Sequence, residues 1–115
     1  MPTAYITAPP EDATELAEAL VEERLAACVN RFPCTSVYRW EGEVHRDDEV
    51  VLLAKTTDEA YDRLEARVEE LHPYDVPCIE WFEEADVLDS FGEWRDAEVA
   101  AEAVEREDAT AGEGA

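Results

Sequence analysis

Polar and apolar positions alternate, or recur every three to four residues, in blocks short enough to read as separate elements. Thr3 to Ala8 has strand character and is closed by Pro9-Pro10. Ala13, Leu16, Ala17, Leu20 and Val21 then fall on one face of a helix that runs to about Leu25. Asp12 and Glu15 have the spacing of a capping box, with Asp in place of the usual hydroxyl residue. Ala27 to Thr56 reads as one long β-hairpin, folded at Glu41-Gly42-Glu43 because glycine supplies the positive φ of a tight turn. Irregular pairing is expected near Pro33 and Asp47-Asp48. Thr56-Thr57-Asp58-Glu59 has the form of a capping box. Behind it, Tyr61, Leu64, Val68 and Leu71 repeat at helical spacing until Pro73. An i,i+4 pair between Glu59 and Arg63 is expected on the exposed face of this helix. Cys78 to Phe82 forms a last strand, and Asp86 is positioned to cap a short helix carrying Val87, Leu88, Phe91 and Trp94.

The order β-α-β-β-α-β is that of an α+β, ferredoxin-like sandwich, here with an extra C-terminal helix. Right-handed crossovers put both main helices on one face of an antiparallel sheet. The other face needs a cover. Trp40, Trp81, Phe82 and Trp94 are more aromatic surface than a monomer leaves in water, so homo-oligomerisation is expected. The 115 residues suit one domain, residues 1–104, followed by a flexible acidic tail, 105–115.

Charge narrows the partners. Nine basic residues stand against 31 acidic ones, for a net charge of −22. Such a chain lacks the cationic footprint for nucleic acid or an anionic membrane surface. The acids are spread along the whole sequence, and Lys55 is the only lysine beside eight arginines. This bias fits a halophilic cell, where molar salt cuts the Debye length to about 3 Å and screens self-repulsion. Three cysteines without C-x-x-C spacing fit a reducing cytoplasm, and Met1-Pro2-Thr3 opens no secretory signal. No apolar run approaches the roughly 20 residues of a membrane span. There is no P-loop, G-x-G-x-x-G, G-x-S-x-G or H-E-x-x-H, so no enzymatic activity is expected.

Four strings in order carry a resemblance to a known family. They are Val21-Glu22-Glu23-Arg24-Leu25-Ala26-Ala27-Cys28-Val29-Asn30, Ser36-Val37-Tyr38-Arg39-Trp40-Glu41-Gly42, Lys55-Thr56, and Leu71-His72-Pro73-Tyr74-Asp75-Val76-Pro77. With Thr7-Ala8-Pro9 they closely resemble the CutA family of divalent-cation tolerance proteins, over roughly residues 3 to 95. The resemblance implies a ferredoxin-like subunit in a tight homotrimer, similar in assembly to PII signal proteins. It also implies a part in the response to divalent metals, with Cu²⁺ or another divalent cation as a weakly bound partner. Family copper binding is attributed to a first-strand cysteine and a His-His pair. Those positions here hold Ile6, Leu71 and His72, so only His72 remains as a metal ligand.

The candidate site is a cleft between subunits. Its residues are Tyr38, Trp40, Glu41, Lys55, His72 and Tyr74. Lys55 and His72 supply positive charge, which gives the alternative function of a PII-like module binding a small anionic ligand. Plainer readings accompany each residue. Lys55 pairs with Glu41, His72 ends a helix, and the aromatic residues pack an interface. Two further metal arrangements are weaker: Cys34, Cys78 and His72 as a soft-metal site, and Asp47, Asp48 and Glu49 as a hard-cation site in a solvated turn.

Overall fold

The computed structural model describes residues 1–102. Seven elements follow one another: β1 (Pro2–Ala8), α1 (Pro10–Glu22), β2 (Cys28–Trp40), β3 (Glu43–Lys55), α2 (Tyr61–Leu71), β4 (Ile79–Glu83) and α3 (Asp89–Glu98). The strands form one antiparallel sheet in the order β2-β3-β1-β4, the ferredoxin-like arrangement expected from the sequence. The proposed tail, 105–115, lies outside the described residues.

One face of the sheet carries the core. Ala4, Ile6 and Ala8 of β1 and Leu52 and Ala54 of β3 are fully buried against Leu16 and Leu20 of α1 and Leu64 and Val68 of α2. The alternation of β1 places Tyr5 and Thr7 on the opposite face. Helical spacing is followed with one exception in each helix, since Val21 and Leu71 are exposed. The two helices are joined by Arg67, whose guanidinium grips both carboxylate oxygens of Glu23 at 2.9 Å.

Several local expectations change. Helix α1 starts at Pro10, two residues before the Asp12 box, because proline at the first helical position needs no N–H partner. It ends at Glu22, where Arg24 turns into the left-handed region at φ 61°. Helix α2 begins at Tyr61, yet Thr57 still behaves as half a capping box, its hydroxyl accepting the N–H of Ala60 at 3.2 Å. Arg63 donates to the carbonyl of Glu59, at 3.2 Å, and to that of Ala100, at 2.6 Å, so the expected Glu59–Arg63 ion pair is replaced by backbone contacts. The final helix starts three residues after Asp86 and buries Gly92 and Arg95, while Trp94 stays partly exposed.

Arg95 is the largest fully buried side chain, at 1% exposure. One Nη1 reaches the carbonyls of Pro2 at 3.2 Å and Thr56 at 3.3 Å, and the carboxylate of Glu84 at 3.1 Å. It thus fastens α3 to the start of β1 and the end of β3. Arg24 holds the other end of α3 through the carbonyls of Ala97 and Glu98. Backbone acceptors at a helix C-terminus suit the Arg24 cation.

The hairpin is regular throughout. Thirteen residues of β2 pair in register with thirteen of β3, through Pro33 and through Asp47-Asp48, so the expected irregularity is absent. Pro33 is tolerated because β2 is an edge strand. Glu41 at φ 52° and Gly42 at φ 83° form the two-residue turn. Positive φ at both positions is the type I′ geometry that matches strand twist. The distal hairpin extends beyond the helices, leaving Val37 and Val44 more than 60% exposed. The aromatic residues do not share one face. Trp81 packs against Tyr61 on the helical side, with ring centroids 4.7 Å apart, whereas Phe82 stacks on Tyr5 on the open side.

Candidate functional site

The open face of the sheet becomes concave where the distal hairpin meets the turn after α2. A cavity of about 600 Å³ lies there. Its walls are the rings of Tyr5, Tyr38, Trp40 and Tyr74, and Glu49 and Asp75 bring carboxylates to it. Strand alternation explains the hairpin's share: Ser36, Tyr38 and Trp40 are at every second position of β2, as Asp47 and Glu49 are of β3. A second cavity, of about 350 Å³ near Met1, Thr57 and Asp96, contains none of the residues expected from the sequence to form a site.

Glu49 is the polar centre of the larger cavity. It is 5% exposed, and its carboxylate accepts hydrogen bonds from the Ser36 hydroxyl at 2.5 Å and the Tyr74 hydroxyl at 2.9 Å. Beside it, the Tyr38 hydroxyl donates to Asp47. Burial, and next the bond to Glu49, push the Tyr74 phenol well above its ordinary range, so it remains a donor. Burial and then the charge of Glu80 push the Cys78 thiol up, which makes it a poor nucleophile at neutral pH.

Three of the six cleft candidates come together here: Tyr38, Trp40 and Tyr74. The other three are elsewhere in the chain's fold. Glu41 occupies the hairpin tip. Lys55 is at the far end of the same hairpin, where its Nζ donates to Asn30 at 2.8 Å, so the considered Lys55–Glu41 pair does not form. His72 is 7% exposed beneath Tyr74, its ring centroid 4.8 Å away. Nε2–H of His72 donates to the carbonyl of Thr7 at 2.7 Å, and Nδ1 accepts the N–H of Tyr74 at 3.2 Å. A carbonyl can only accept and an amide N–H can only donate, so this network assigns the neutral Nε2–H tautomer. His72 therefore positions the Tyr74 turn.

These contacts also decide the fit of a metal within one chain. Neither nitrogen of His72 has a free lone pair, and the apolar Ile6 and Leu71 take the other positions. Among the described residues no group of three or more His, Cys, Asp or Glu side chains converges closely enough to hold an ion. The Cys34, Cys78 and His72 site is not assembled. Asp47, Asp48 and Glu49 form no turn: Asp48 points away from the other two and meets Thr35. The residues do not fit a copper centre built by a single chain. Nor do Lys55 and His72 bring positive charge to the cavity, as an anionic ligand would require.

The model of one protein family, the CutA1 divalent ion tolerance proteins, matches residues 3–98. The chain belongs to that family. The divalent-cation tolerance protein CutA of Thermus thermophilus is 59% identical over 76 residues, 64% of this chain and 74% of the relative. That of Pyrococcus horikoshii is 38% identical over 91 residues, 78% of this chain and 89% of the relative. Among solved structures, the PII-like protein CutA of Nostoc sp. PCC 7120 superposes with a TM-score of 0.86 at 36% identity, covering 89% of this chain and all of that one. The CutA1 structure from Thermus thermophilus gives 0.82 at 46% identity, covering 86% and 98%. The fold is therefore PII-like and ferredoxin-like, as the residue strings implied. The shared region includes α3, so this helix is part of the CutA1 domain. Among the described residues no helix is long and apolar enough to cross a membrane.

Among the cavity residues, Tyr5, Ser36 and Asp75 were not singled out in the sequence, and Glu49 was read only as part of an acidic hard-cation run. Period-two alternation through Ser36-Val37-Tyr38 and Asp47-Asp48-Glu49 would have put Ser36 and Glu49 on the tyrosine face. The acidic run looked instead like a turn.

Proposed function

We propose that the chain acts in cellular tolerance of divalent cations as a homotrimer, without catalysing a reaction. The family match across 3–98, which spans every element from β1 to α3, carries this reading. Assembly is supported by surface that the single chain leaves uncovered: Phe32, Trp40 and Phe82 are each close to half exposed, and the distal hairpin has no helix over it. Three copies joined through open faces and free edge strands would cover these positions. Copper enters this reading as a weakly held cation. The free thiols of Cys28, Cys34 and Cys78 support placement in the cytoplasm. Relatives differ in this respect, since the Arabidopsis protein is named chloroplastic and the Archaeoglobus fulgidus structure periplasmic.

Deleting the chain from the cell that makes it tests this reading. Growth on rising copper is expected to fail earlier in the deletion and to recover when the chain is supplied again. Equal tolerance with and without the chain would overturn it.

A further inference from the structure

We propose that Lys55 of a neighbouring copy is the counter-charge of Glu49, so that two chains complete the aromatic cavity between them. This deepens the homotrimer reading and rests on it.

The first observation is a buried carboxylate without a cation. Glu49 is almost fully buried, and its partners are two neutral hydroxyls, of Ser36 and Tyr74. Desolvating a carboxylate is costly unless an opposite charge meets it. Among the described residues no Lys, Arg or His forms an ion pair with Glu49.

The second is a cation without a carboxylate. The chain has 31 acidic residues, yet its one lysine forms no ion pair among the described residues. The Nζ of Lys55 donates instead to the neutral amide oxygen of Asn30 at 2.8 Å.

The third is the face that these two share. Pairing runs unbroken along β3, so alternation puts both Glu49 and Lys55 opposite the core residues Leu52 and Ala54. Arg31, Arg39 and Arg46 have the other parity and belong to the helical side. Among the described strand residues Lys55 is therefore the only lysine or arginine on the open face. His45 shares this face but stacks on Tyr38. Six residues of extended β3 separate Glu49 from Lys55, roughly 20 Å, so the two cannot meet within one chain.

Copies in a ring meet head to tail, each offering one patch and receiving a different one. The open face supplies both patches: an acidic aromatic end at Glu49, Tyr38 and Trp40, and a cationic end at Lys55. A lysine suits this role, because its four-carbon stem can lie along the rings while its ammonium reaches the carboxylate. A small free cation would satisfy Glu49 but leave Lys55 unmatched.

Sedimentation equilibrium of the intact chain in molar potassium chloride, over a range of protein concentrations, tests the pair. Glu49→Gln, Lys55→Met and the double variant are compared with Glu18→Gln, on the exposed face of α1, and Arg46→Met, on the helical side of the hairpin. Glu49→Gln and Glu18→Gln each remove one negative charge from a chain of net charge −22, so general repulsion alone would make both assemble more readily. The pair reverses that sign for Glu49→Gln. Glu49→Gln and Lys55→Met are each expected to raise the concentration at half-assembly roughly tenfold. The double variant is expected to lose no more than either one. Arg46→Met, which removes the same charge as Lys55→Met, is expected to stay within about twofold of the unchanged chain, since molar salt screens a general effect. Circular dichroism identifies a variant that misfolds. Lys55→Met gives up one surface hydrogen bond and carries the test if Glu49→Gln does not fold. A monomeric unchanged chain in molar salt would remove the homotrimer reading and this pair with it. An assembled chain with Lys55→Met no weaker than Arg46→Met, with Glu49→Gln as tight as Glu18→Gln, or with additive losses in the double variant would overturn the pair alone.

Discussion

The hydroxyl of Tyr74 donates to the carboxylate of Glu49 at 2.9 Å, tying the turn after α2 to the middle of β3. This bond closes one side of the aromatic cavity. It also sets how the protein responds to alkali. Burial first, then the bond to Glu49, hold the Tyr74 phenol protonated far above its usual range. Below about pH 10 the phenol is neutral in both folded and unfolded chains, so its contribution to stability is fully present. Above that pH the unfolded chain ionises it while the folded chain cannot. Stability is lost as pH rises toward the folded value. Tyrosinate absorbance is expected to appear together with loss of the circular dichroism signal. Tyr74→Phe, which has no phenol to titrate, is expected to show a shallower decline in urea midpoint between pH 10 and 11. An unchanged slope would contradict this role.

His72 makes a second prediction. Its two nitrogens bridge Thr7 and the backbone of Tyr74, so its loss removes two hydrogen bonds from a buried position. His72→Ala is expected to cost about 2 kcal/mol in urea unfolding. The number of copper ions bound per chain in calorimetry is expected to stay the same. A change in that number with stability preserved would make His72 a ligand after all.

Arg95 is buried with one carboxylate partner, Glu84, which also accepts from the Thr3 hydroxyl. Burial works to raise the Glu84 pKa, but the bonds from Thr3 and Arg95 outweigh it and hold the carboxyl below its ordinary value. The Glu84 contribution is therefore present at neutral pH and lost as pH falls through the folded value. Arg95→Leu is expected to cost about 3 kcal/mol, since it strands two carbonyls and a carboxylate. Adding Glu84→Gln to Arg95→Leu is expected to cost much less than Glu84→Gln alone, which a double-mutant cycle reads directly.

The sequence made the architecture legible and only half of the cavity. Element order, the Gly42 turn and the helical faces of α1 and α2 follow from local periodicity and turn chemistry. The misplaced boundaries have local causes too. Pro10 outranks Asp12 as a helix start, and the start of α3 is displaced by the need to bring Arg95 over Pro2 and Thr56. The cavity was harder because its walls come from β1, β2, β3 and the turn after α2, and no sequence spacing encodes that meeting. Tyr38, Trp40 and Tyr74 were found as residues of the recurring strings. Lys55 and His72 came from the same strings, but strand register carries Lys55 to the opposite end of the hairpin, and burial turns His72 inward. Glu49 was read only as part of a hard-cation run in a solvated turn, because an acid in so acidic a chain carries no other signal until its burial is seen.

Assembly through the open face is the structural part of the tolerance reading, which the family match across 3–98 carries. Sedimentation equilibrium of the purified chain in molar potassium chloride tests it most directly. At a net charge of −22 per chain, copies repel one another, and molar salt, which shortens the Debye length to about 3 Å, screens that repulsion. The predicted result is a species of three times 12.9 kDa that dissociates as the salt is diluted. A mass of 12.9 kDa in molar salt, independent of protein concentration, would contradict it.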